Sequence, residues 1–106
     1  MDRFLFKVCY TKEGMQGVVK EGAVGRRATI EKMAAEMGGS MASFDFAFGD
    51  TDLFVICEMP DQISAAAVAT AVAASGAATI ETVVLLSAED LDQAISKNAP
   101  YRPPGA

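Results

Sequence analysis

Histidine and tryptophan are absent from this chain of 106 residues. Without histidine there is no imidazole general base, no histidine-oriented nucleophile, no His-ligated haem and no zinc site that depends on imidazole. Any catalysis would have to use carboxylates, Lys, Tyr, Cys or a bound group. Cysteine is scarce as well. Cys9 and Cys57 are too few and too far apart for a disulfide framework or a zinc motif. Both fall in strand-like runs, where a free thiol behaves as a small hydrophobe, so both are expected to be buried and reduced in a cytoplasm.

Positive charge is in deficit: nine Lys and Arg stand against fourteen Asp and Glu, a net charge of −5. A sequence-independent nucleic-acid binder needs clustered cations to displace phosphate counterions, and an anionic membrane surface makes the same demand. Neither partner is expected. No window reaches the roughly 18 consecutive apolar residues of a membrane-spanning helix. Asp2 follows the first Met, and no apolar run ends in a small-residue cleavage site, so no signal peptide is expected and the location is read as cytoplasmic.

What is present suits one small globular domain. Hydrophobic residues make up 51% and charged residues 22%, which excludes a disordered chain. A domain over residues 1–98 and a tail over 99–106, rich in Pro, are the expected divisions.

The most legible stretch is residues 44–61. Two apolar runs flank Gly49-Asp50-Thr51-Asp52, a cluster of turn formers, and together they predict a β-hairpin. Pairing Phe48 with Leu53 would set Phe46 opposite Val55 and Phe44 opposite Cys57, giving one wholly apolar face. Ahead of it, residues 4–10 predict a strand with Phe4, Phe6, Val8 and Tyr10 facing the core. Residues 11–25 hold four glycines and read as a loop with a short helical turn over 15–20. Ile30, Met33, Ala34 and Met37 recur at helical spacing and predict an amphipathic helix over 26–37, stopped by Gly38-Gly39.

Beyond the hairpin, Asp61 suits the N-cap of an alanine-rich helix over 62–75, and residues 78–86 read as a fourth strand. Ser87, with Asp90 three residues on, launches a last helix over 88–97 whose apolar positions are Leu91, Ala94 and Ile95. With right-handed crossovers this order predicts an α+β fold: a ferredoxin-like βαββαβ unit, a four-stranded antiparallel sheet with helices on one face, and an additional C-terminal helix. The first and third strands should be central.

One face of that sheet has no helix to cover it. By alternation it carries Leu5, Cys9, Ala47, Phe54, Ile56 and half of residues 78–86, more apolar surface than a monomer keeps wet. Self-association into a two-fold homodimer or a higher oligomer is the plain reading, and a small-molecule cavity between the paired sheets is the functional one. Set into this face are Lys7, Asp45 and Glu58, with Glu81 or Thr82 according to register. An ammonium and an acid on an apolar surface suit either proton transfer or a salt bridge that orients the dimer. Gly49 to Asp52 lacks the spacing and the bidentate Glu of a calcium loop, so turn chemistry is preferred and no metal is expected. The glycines of 14–25 do not follow the dinucleotide fingerprint, and no cofactor is expected.

Tyr10-Thr11 with Gly14 and Gly17, Lys20-Glu21, Arg26, Gly38-Gly39, Gly49-Asp50-Thr51-Asp52, Glu58-Met59-Pro60-Asp61 and residues 76–82 follow one another in an order and spacing that resembles the GYD-domain family, small bacterial proteins. The resemblance covers nearly all of residues 3–95. It implies a ferredoxin-like fold that pairs into a dimeric α/β barrel, with no settled activity; distant relatives of that barrel include small monooxygenases, lactone isomerases and haem enzymes. Gly49 and Asp52 belong to the family-motif turn, and Thr51 stands where the family usually has Tyr. Function is therefore expected to be binding or regulatory in a homodimer. The alternative is a cofactor-independent enzyme, monooxygenase- or isomerase-like, acting on a small apolar oxygenated molecule in a cavity where two sheets meet.

Overall fold

The computed structural model describes residues 1–106. Its elements run β1 (Asp2–Tyr10), α1 (Lys12–Glu21), α2 (Ala23–Glu36), β2 (Ser40–Phe46), β3 (Leu53–Met59), α3 (Gln62–Ala74), β4 (Ala78–Leu85) and α4 (Ala88–Ser96). The strands form one antiparallel sheet in the order β2-β3-β1-β4, so β1 and β3 are central as the sequence predicts. No helix is long and apolar enough to cross a membrane.

The core lies on one face of the sheet. Phe4, Phe6 and Val8 of β1 and Leu53, Val55, Cys57 and Met59 of β3 are buried there beneath Ala34 of α2 and Ala65 and Val68 of α3. Each strand alternates, so every second side chain faces the helices. The small side chains of α3 let its axis lie close to the strands, while Asp61 accepts the Ser64 amide at 2.7 Å and starts the helix. Burial pushes the Cys57 thiol above its ordinary range, as expected of a sulfur with no cation beside it.

Three local expectations change. Residues 12–21 are a full helix rather than a loop. Thr11 caps it by accepting the Gly14 amide at 3.1 Å, with Glu13 in its first turn and Lys20 in its last. The glycine that weakens this helix is also the one the packing requires, because a Cβ on Gly14 would collide with the carbonyl oxygen of Ala77. Close approach outweighs propensity here.

The second change is register. Phe46, not Phe48, lies opposite Leu53, and Phe44 lies opposite Val55, with an irregularity between Met41 and Ser43. The slip is two residues, so the phenylalanines keep their face, but Phe48 falls outside the strand and is fully exposed. The connection is longer than the four turn formers suggest, and it closes where the Ala47 amide meets the Asp52 carbonyl at 2.9 Å.

The third change concerns Cys9, which lies on the uncovered face as alternation predicts but is half-buried rather than buried.

α4 forms where expected, capped by Ser87. It makes no extensive contact with any other element, and every one of its residues is exposed.

Candidate functional site

α2 rests chiefly on β2, whereas α3 rests on β4, β1 and β3. Between the two helices, over the centre of the sheet, an apolar cleft of about 50 Å³ remains. Its floor is Phe6, Val8, Val55 and Ile80, and its walls are Ile30 and Met33 on one side and Val68 and Val72 on the other. Of its 15 lining residues 14 are hydrophobic, and Arg26 is the exception. Arg26 stands one turn before Ile30 on the same stripe of α2 that predicts the helix, so its guanidinium lies at the end of an apolar groove.

Tyr10 completes that end. It closes the core-facing row of β1, and its hydroxyl lies beside the Arg26 guanidinium. Burial raises its ionisation above the ordinary phenol value, and the neighbouring Arg26 guanidinium offsets this in part. Tyr10 is therefore a neutral phenol at physiological pH. Arg26 also meets Glu21 at 3.7 Å, and Glu21 in turn accepts the Thr29 hydroxyl at 3.0 Å. The hairpin turn holds the strand end in place: the Asp52 carboxylate accepts the Tyr10 amide at 2.8 Å, and the Asp52 amide donates to the Val8 carbonyl at 3.0 Å. The Cys9 thiol donates to the Asp50 carbonyl at 3.1 Å. Asp52 thus fixes the residue that carries the phenol, and Gly49 sits in open space at the tip of the turn.

The residues singled out on the uncovered face do not converge. One row runs straight across the sheet through Asp45, Phe54, Lys7 and Glu81. Lys7 pairs with Glu81 at 3.5 Å. Asp45 is two strands away from Lys7, a spacing of about 10 Å, with Phe54 between them. Glu58 lies opposite Arg3, four residues along β1 from Lys7. Thr82 is corrected outright: it lies opposite Phe6 on the helix side, and Glu81 takes the place beside Lys7. No lysine lines either of the two main cavities of the chain.

These strand and turn positions have the spacing of a known family, whose model, described as GYD domain, matches residues 4–95. The chain belongs to the GYD domain family. The match spans nearly all of the sheet, helices α1 to α3 and nearly all of α4, so the family unit includes the exposed last helix. Comparison with curated proteins and with solved structures finds no match.

In this GYD domain the cleft is the feature that sequence reasoning missed. The signal was present in two pieces. Tyr10 has the core-facing parity of β1, and Arg26 sits on an otherwise apolar helical stripe. Joining them requires knowing that the end of β1 and the start of α2 lie together.

Proposed function

We propose that this GYD domain works as a homodimeric binding module for a small, largely apolar molecule with an anionic, carboxylate-like end. Arg26 carries the reading: it is the one charged residue lining an otherwise apolar cleft. A guanidinium presents paired donors that match a carboxylate, and the Tyr10 hydroxyl beside it adds a further donor. The ligand's anion would displace Glu21, whose contact with Arg26 is long at 3.7 Å.

The cleft is narrow. At about 50 Å³ it is smaller than the roughly 150 Å³ that holds a benzene ring. Met33 and Met59 line it, and a straight chain or a ring enters as these flexible side chains change rotamer. Binding is favoured over catalysis because no carboxylate lines the cleft and its one hydroxyl stays protonated. The dimer half of the reading is supported by the uncovered face, where Leu5, Phe54, Ile56 and Val83 are half-buried with no element over them.

Native mass spectrometry of freshly purified protein reads subunit count and retained ligand together. Titration with straight-chain carboxylates from butanoate to decanoate then measures affinity. The expected result is one carboxylate bound per subunit, with affinity falling at least about tenfold in Arg26→Met. Equal binding by Arg26→Met, or no binding across the series, would overturn the ligand reading.

A further inference from the structure

We infer that α4 is an exchange arm that packs Leu91, Ala94 and Ile95 onto a second copy of this chain. The inference rests on the dimer reading above and adds to it which segment crosses. Three observations carry it.

The first is the helix itself. α4 has 9 residues, well below the length at which an isolated helix holds in water, yet no other element of the chain packs extensively against it and none of its residues is buried. Its apolar stripe is in place, with Leu91 52% and Ile95 65% exposed. A short amphipathic helix gains its stability from packing, so its partner must come from outside the chain.

The second is surface area. The chain exposes 7265 Å². A compact monomer of 11.1 kDa exposes about 5,700 Å². The radius of gyration is 16.6 Å, against about 13 Å for a compact domain of this length. The excess surface is ample for the roughly 800 Å² that each partner contributes to a standard interface.

The third is continuity with the face the dimer would bury. Leu85, the last residue of β4, lies opposite Arg3 on the uncovered face, and α4 starts three residues later. Between α4 and the foot of the sheet is a crook of about 400 Å³, bounded by Met1, Arg3, Glu58, Leu85 and Asp90. In an isologous pair each crook receives the other protomer, and each α4 lies against the copy it does not belong to.

Sedimentation equilibrium on three proteins tests this: the full chain, a chain ending at Ser87, and the full chain carrying Leu91→Glu with Ile95→Glu. The buried core involves nothing beyond Ala78, so the shortened chain retains it. The expected result is a dimer for the full chain and a dissociation constant raised at least about 100-fold in both variants. Hydrogen exchange should show α4 amides protected in the dimer and unprotected on dilution. If both variants dimerise as tightly as the full chain, the arm is refuted and the dimer stands. Protection of α4 that does not change with concentration means the helix folds back on its own chain, and also refutes the arm. A full chain that stays monomeric at high concentration removes the dimer reading and the arm together.

Discussion

The two faces of the sheet are made from alternate residues of the same strands, yet they have different fates. On the helix side Phe4, Phe6, Leu53, Val55, Cys57 and Met59 are buried. On the other side Leu5, Cys9, Phe54 and Ile56 are no less apolar, and none of them is. Backbone alternation assigns a residue to a face, and only a second layer decides whether that face becomes core. The helix layer is itself incomplete, because α2 and α3 sit apart and leave the cleft that ends at Tyr10 and Arg26.

The contrast can be broken at several points. Phe4→Ala on the closed face should cost about 3–5 kcal/mol in urea unfolding, since Phe4 is 2% exposed. A loss below about 1 kcal/mol would mean that face is not the core. The cysteines sharpen the same comparison. A thiol reagent should modify Cys9 in the folded monomer and reach Cys57 only through unfolding, and raising protein concentration should slow Cys9 as the second copy covers it. Equal rates at the two thiols would remove the distinction.

Phe54→Ala, on the open face, should cost the isolated subunit far less than Phe4→Ala while weakening self-association. Unfolding at two protein concentrations separates these effects. Tyr10 gives a pH test. Burial favours its neutral form, so its contribution is whole below the ordinary phenol value and is lost as pH rises through the raised one. An ultraviolet titration should therefore show Tyr10 ionising late, and Tyr10→Phe should abolish that late step. The smallest effect is Lys7→Met, about 0–1 kcal/mol, because its pair with Glu81 is solvent-accessible at 34% and 68% of the two side chains. A larger loss would give that ion pair a role the geometry does not show.

Much of the fold was legible because its signals are local. The parity of Phe4, Phe6 and Val8, the helical spacing of Ile30, Met33 and Ala34, and the caps at Asp61 and Ser87 each lie within one element, and the structure places all of them as predicted. The failures involve partners distant in sequence. Gly14 reads as a breaker until the Ala77 carbonyl is seen against it. Phe48 reads as a strand residue until Asp52 is seen tied to Val8 and Tyr10. Asp45, Glu58 and Lys7 share a face by alternation, but β3 lies between Asp45 and Lys7, and the register sets Glu58 opposite Arg3.

The sequence alone therefore determined the four strands and every helix except α1, and which residues the strands turn toward the core. Those choices follow from backbone periodicity and capping, whose range is a few residues. Tertiary structure alone decided that Lys7 meets Glu81, that Tyr10 lies beside Arg26 at the end of a cleft, and that every residue of α4 stays exposed. Each of these depends on strand register or on how a helix settles against the rest of the chain. Both are set by packing between elements remote in the chain, which no local pattern encodes.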